Sequence, residues 1–208
     1  MKRRSFALLA AVALLGAAAS PEESTPLYER MQQVNSGLRT YQADVTVAIE
    51  THGPPFISPT LSGKYYFKRP DKTAVVFETI PLIANQAKHV VAQMEPPAEW
   101  PQIYHVQQTG DDGTTATFRL VRKKNGRIDH VDVKVDDKSA TVAGMTYFYK
   151  DGGSIAFTQT YSDINGNYVV KTQNGKVDIP HYNADVTSTF ANYKLNVPVD
   201  DKVFDQNG

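Results

Sequence analysis

The sequence predicts a mainly β fold of the α+β class: one large twisted antiparallel sheet forming a half-barrel, with its concave face covered by amphipathic helices. Three observations point there. Runs of alternating apolar and polar residues recur along the chain. Asp-Gly and Asn-Gly turn signals separate many of them. Just two segments carry helical periodicity.

The first segment reads as an export signal. Lys2, Arg3 and Arg4 precede the apolar run Phe6 to Leu15, and the small residues Ala17, Ala18 and Ala19 follow. The run is far shorter than the ~20 residues a membrane-spanning helix needs, so cleavage near Ala19 is expected. That leaves residues 20 to 208 as one domain, with no linker and no repeat. The whole chain balances 22 Lys+Arg against 22 Asp+Glu. Without residues 1 to 19 the balance is 19 against 22, a net charge of −3. A mildly acidic chain lacks the clustered basic face that phosphate binding requires, which excludes nucleic acid as a partner. There is no cysteine. Disulfides cannot staple the exported fold, and no thiol follows the signal to carry a lipid anchor. A soluble monomer is expected, with its stability coming from an ordinary core; the periplasm of a bacterium with two membranes fits, though the signal alone also permits secretion.

A first helix starts with Thr25 as N-cap and Pro26 at the first helical position, and keeps Leu27, Met31, Val34 and Leu38 on one face. Gly37 can end it. Next, Tyr41, Ala43, Val45, Val47 and Ile49 alternate with polar or small residues, the pattern of a half-buried strand. The three prolines between His52 and Pro59 enforce a loop. Leu61, Gly63, Tyr65 and Phe67 then alternate with Ser62, Lys64, Tyr66 and Lys68, and Thr73 to Ile80 is rich in β-branched residues. Between these two strands the Arg69-Pro70-Asp71 corner places Arg69 at a strand rim, because the proline ring holds the preceding residue extended.

Helical spacing returns at Ile83, Ala87, Val90, Val91 and Met94, until Pro96-Pro97 stops it. From Ile103 onward, turn signals fall at Asp112-Gly113, Asn125-Gly126, Asp151-Gly152-Gly153, Asn165-Gly166 and Asn174-Gly175. Both central residues of such pairs tolerate positive φ, so a meander of about ten strands in one sheet follows. Its concave face would carry Tyr65, Phe67, Val75, Phe77, Phe118, Met145, Tyr147, Phe157 and Phe190. Two helices, each burying a single stripe, leave part of so broad a face uncovered, so an apolar cavity is expected. Ile83, Val90 and Met94 would form its helical roof.

Enzymatic motifs are weak or absent. His52, His89, His105, His130 and His181 fall in separate elements, without a zinc-binding or nucleophile-elbow pattern. His130 and Asp132 share a strand face, which a solvated polar surface explains better than a catalytic pair does. Asp163 to Asn167 lacks the spacing and closing Glu of a calcium loop and reads as a turn. No metal or cofactor is implied.

Taken together, Leu38-Arg-Thr-Tyr41-Gln-Ala-Asp-Val45, Gly63-Lys-Tyr-Tyr-Phe-Lys-Arg-Pro70 and the closing Phe190-Ala-Asn-Tyr-Lys-Leu-Asn-Val-Pro-Val-Asp-Asp-Lys-Val-Phe204 resemble the LolA-like proteins, the periplasmic carriers of outer-membrane lipoproteins and their wider superfamily. The resemblance implies a helix-lidded half-barrel that holds a lipid or the acyl chains of a lipidated protein, with an inner-membrane donor, an outer-membrane acceptor and no catalysis. It also implies that Arg69, in Lys-Arg-Pro, locks the lid. The alternative for Arg69 is a rim charge paired with a carboxylate such as Asp71 or Glu78. The chain departs from the carriers after Pro81, where a helical run stands in place of a turn and two further strands. The superfamily's envelope-sensing regulators keep open a second role, an interaction module without transport.

Overall fold

The computed structural model describes residues 26–53, 56, 58–70, 72–78, 95–180 and 182–205. The signal segment, Thr25 and the helical run Ile83 to Met94 lie outside the described residues, as does the place of the two expected strands after Pro81.

Helix α1 (Pro26–Gln33) is followed by strands β1 (Thr40–Thr51), β2 (Thr60–Lys68) and β3 (Lys72–Phe77). A 3-10 turn at Pro97–Glu99 runs into a single helical turn, α2 (Trp100–Ile103). Then come β4 (Tyr104–Asp111), β5 (Thr115–Arg122), β6 (Ile128–Asp136), β7 (Thr141–Tyr149), β8 (Ser154–Ile164), β9 (Asn167–Ile179) and β10 (Tyr182–Leu195). All ten strands form one open antiparallel sheet in the order β3-β2-β1-β10-β9-β8-β7-β6-β5-β4. The two ends of the chain's β region therefore meet mid-sheet, where Val45 lies opposite Phe190 and Ile49 opposite Val186.

Alternation explains the strand faces. In β1, Tyr41, Ala43, Val45, Val47 and Ile49 are all buried, while Thr46, Ala48 and Glu50 are exposed. The same face continues through Tyr65, Phe67 and Val75 on one side. On the other it continues through Phe157, Met145, Val133 and Phe118. Three apolar clusters result. One joins α1, Trp100 and Tyr104 to strands β5 to β8. A second groups Val45, Val47, Ile49 and Leu61 with Val75, Phe77 and Phe190. A third groups Leu38, Tyr41 and Val169, with Tyr65 and Phe67 against it.

Two sequence expectations are corrected. Asn174-Gly175 is no turn: it lies inside β9, with Asn174 opposite Thr158 and Thr187. Gly175 is there for space, since a Cβ would sit 2.8 Å from the Phe157 ring, which fills the gap. The β9–β10 hairpin is instead made at Pro180, with Ile179 opposite Tyr182. The strand expected over Thr73 to Ile80 ends at Phe77.

Helix α1 ends at Gln33, ahead of Gly37, and Asn35 follows in the left-handed region with φ 59°. Asparagine tolerates that conformation better than most side chains. Its amide grips β9 in both directions, donating to the Tyr168 carbonyl at 2.7 Å and accepting from the Tyr168 N–H at 2.8 Å. The helix end is thereby fixed to the sheet.

Acidic groups in β6 and in the turn at Asp201–Val203 make stability depend on pH. Hydrogen bonds from Lys68 and Lys72 hold Asp201 below its usual 3.8, the Arg119 bond does the same for Asp132, and the Ser139 bond for Asp136. Depressed folded-state values stabilise the fold above the unfolded value and lose that contribution as pH falls through the folded ones. Thermal unfolding followed from pH 7 to pH 2 is expected to show a melting temperature that drops below about pH 4.

Candidate functional site

A cavity of about 300 Å³ lies between the end of α1 and the concave face of the sheet. Met31, Val34 and Leu38 reach it from the helix and the turn after it. Tyr41, Tyr65 and Phe67 line it from β1 and β2, and Val142, Tyr161 and Val170 from β7 to β9. These residues come from segments far apart in sequence. Pairing Tyr41 with Phe67 and Ala43 with Tyr65 puts the three rings side by side, with centroids 5.3 and 5.4 Å apart.

Polar atoms in the wall are mostly spoken for. The Tyr161 hydroxyl donates to the Val142 carbonyl at 2.8 Å and accepts from Gln159 Nε2 at 2.6 Å. Gln173 in turn donates to Gln159 at 3.3 Å. Burial pushes the phenols of Tyr41, Tyr65 and Tyr161 above their ordinary range, with Tyr65 adding to the shift of Tyr41. All three stay neutral at physiological pH, so this wall is uncharged and suits an apolar guest.

Arg69 stands at the rim, at the β2–β3 corner where Lys68 faces Lys72. Its Nε donates to the Leu38 carbonyl at 2.6 Å and its Nη2 to the Asn35 carbonyl. Both acceptors belong to the turn that ends α1. The guanidinium thus ties the helix end to the rim, and Glu78 is not its partner. Asp71 lies outside the described residues. The neighbouring Lys68 and Lys72 both pair with Asp201, at 2.9 and 3.0 Å, drawing the C-terminal turn over the corner.

The residues expected from sequence that the structure describes divide into three groups. Tyr65, Phe67 and Arg69 line the cavity. Val75, Phe77 and Phe190 share the concave face but pack in the second cluster. Phe118, Met145, Tyr147 and Phe157 lie under α1 and Trp100, each no more than 6% exposed, and fill their part of the sheet themselves. Ile83, Val90 and Met94 lie outside the described residues. Tyr41, Leu38, Met31 and Val34 carried a sequence signal as apolar positions. Tyr161 and Val170 carried none, because an irregularity between Thr160 and Tyr161 resets their register, and Val142 carried none, because another between Lys134 and Val135 resets the β6–β7 pairing.

Among the described residues no group of histidines and carboxylates could hold a metal ion. His130 Nε2 stands 3.9 Å from Asp132, beyond hydrogen-bond reach. Asp132 spends both oxygens on Arg119 at 2.8 Å, while His130 bonds Asp129 at 2.7 Å and stacks on Phe148. No helix among the described residues is long and apolar enough to cross a membrane.

No protein-family model matches the chain, and no curated protein matches it in sequence. Solved structures do resemble it in fold. A DUF1329 family protein from Desulfovibrio piger matches with a TM-score of 0.65 at 15% identity, covering 86% of this chain and 94% of that one. A LolA superfamily protein from Nitrosomonas europaea gives 0.59 at 12% identity over 86% and 95%. A domain from Vibrio parahaemolyticus, described as an outer membrane lipoprotein-sorting protein, gives 0.65 at 9% identity over 86% and 94%. At these identities the likeness concerns architecture alone, and on that ground the chain has a LolA-like fold.

Proposed function

We propose that this chain is a periplasmic binding protein that holds lipids, or the acyl chains of lipoproteins, beneath the helical lid, without catalysing a reaction. The observation that carries the reading is the cavity of about 300 Å³ left between α1 and the sheet. Cavities that bind small molecules span ~300–1,000 Å³, so the space suits part of one acyl chain better than several. Each buried methylene contributes about 0.8 kcal/mol. Release therefore requires the lid to move, and the Arg69 bonds to the turn after α1 oppose that movement. Export rests on the Lys2 to Ala19 pattern, and hand-off between an inner-membrane donor and an outer-membrane acceptor rests on the family resemblance.

One observation favours a second reading, an envelope-sensing interaction module without transport. Much of the concave face is already filled, since Phe118, Tyr147 and Phe157 pack on α1 and Trp100. Native mass spectrometry of the protein purified gently from a periplasm, followed by solvent extraction, separates the two. A stoichiometric lipid or acylated peptide is the expected result. A clean apo mass that ignores added phospholipid, fatty acid and lipopeptide would move the assignment to the interaction module.

A further inference from the structure

Asn-Gly pairs occur in the sequence at Asn125, Asn165, Asn174 and Asn207. The last lies outside the described residues, and the fold gives the other three unlike surroundings. An asparagine before glycine is prone to an internal reaction, because glycine has no side chain to hinder the approach of its own nitrogen to the preceding side-chain amide. That approach needs a backbone able to move, a glycine N–H free to lose its proton, and no nearby anion opposing the loss.

Two of the pairs are blocked. Asn174-Gly175 sits inside β9, with Asn174 between Thr158 of β8 and Thr187 of β10, and the Asn174 amide oxygen accepts from the Thr187 hydroxyl at 3.3 Å. Reaction there requires the sheet to open first. Asn165-Gly166 turns the chain between β8 and β9 with both residues at positive φ, 54° and 79°. The Gly166 N–H donates to the Asp163 carboxylate at 2.8 Å, and that negative charge holds the proton on the nitrogen.

Asn125-Gly126 differs on each count. It lies between the end of β5 at Arg122 and the start of β6 at Ile128, and both of its residues are exposed. The Gly126 N–H makes no backbone hydrogen bond among the described residues. Beyond the chain neighbours, a Cβ added to Gly126 would meet just Arg122 Nη1, 4.0 Å away, so the pair has open space around it and a guanidinium beside it. Lys123, Lys124 and Arg127 add to the cationic surroundings. Positive charge favours the deprotonated nitrogen and the oxyanion that develops as it attacks.

The geometry points to Asn125 as a site of spontaneous covalent modification. The Gly126 nitrogen forms a bond to the Asn125 side-chain carbonyl carbon, the carbon–nitrogen bond of the side-chain amide breaks, and ammonia leaves with the proton from Gly126. Water then opens the cyclic imide at either carbonyl, giving aspartate or isoaspartate. The product places a carboxylate among Arg122, Lys123, Lys124 and Arg127, and in isoaspartate the side chain's methylene enters the backbone. This conversion is independent of what the cavity binds.

The test is incubation of the full chain at neutral pH in heavy-oxygen water, with peptide mapping by mass spectrometry at intervals and a parallel sample in urea. In the folded protein the label is expected to enter the Asn125 peptide roughly tenfold or more faster than the Asn165 or Asn174 peptides. In urea, where the sheet and the Asp163 bond are gone, that lead should shrink. Cation-exchange chromatography should resolve an earlier-eluting form that Asn125→Gln, with an unchanged circular dichroism spectrum, does not produce. Label entering Asn165 or Asn174 first, entering all three at equal rates, or entering none would overturn the assignment. A lead that is unchanged in urea would overturn its structural basis.

Discussion

Trp100→Ala is expected to destabilise the protein by about 3–5 kcal/mol, the range for removing a fully buried large aromatic side chain. Trp100 is 0% exposed. Its ring stacks on Tyr28 of α1 with centroids 5.9 Å apart, and its Nε1 donates to the Glu95 carbonyl at 2.8 Å. Tyr28 returns a bond to the Pro97 carbonyl at 2.5 Å and also packs against Phe118 in the sheet. Helix α1 has just eight residues, too short to hold together alone. Its place on the sheet depends on this aromatic wedge and on the Asn35 grip at its other end. Urea denaturation followed by circular dichroism should show a lower midpoint with an unchanged slope. A loss below about 1 kcal/mol, the ordinary size for a point mutation, would mean that Trp100 does not anchor the lid.

How far the sequence foretold this arrangement depended on whether the forces were local. The alternation of Tyr41 to Ile49 is a local consequence of strand geometry, and the burial pattern of β1 follows it. Asp112-Gly113 and Asn165-Gly166 mark turns because the chain there needs positive φ, as at Gly113 with 82° and Asn165 with 54°. Asn174-Gly175 has the same letters for a different reason: the glycine yields room to the Phe157 ring from the neighbouring strand. No local rule separates the two cases. The wedge from Pro97 to Ile103 was also hidden, since Pro96-Pro97 looks like a stop and nothing nearby shows that Trp100 will meet Tyr28. For the cavity, Tyr65 and Phe67 were legible as an apolar strand face. Tyr161 and Val142 were not, because a β-bulge and pairing across β7 to β9 bring them there. Arg69 was legible as a rim residue, whereas its acceptors at Asn35 and Leu38 emerge only once α1 has docked.

Filling the cavity is the second change with a large expected effect. Val142 lines the space and is half-buried, and its carbonyl, not its side chain, makes the bonds to Gln159 and Tyr161. Val142→Trp therefore adds an aromatic group to the cavity while those backbone bonds remain available. Displacing about three methylenes of a bound chain removes about 2.4 kcal/mol at about 0.8 kcal/mol each, near a fiftyfold loss of affinity. Val142→Ala should leave binding largely intact, because it widens the same space.

The most direct measurement is a titration of a fluorescent fatty acid into the unmodified protein, Val142→Trp and Val142→Ala, with folding of each checked by circular dichroism. A chain held under α1 predicts saturable binding of one probe per protein, a loss of roughly fiftyfold for Val142→Trp, and near-normal binding for Val142→Ala. Equal binding by a folded Val142→Trp, or no saturable binding by the unmodified protein, would contradict the central claim that this cavity is where the lipid sits.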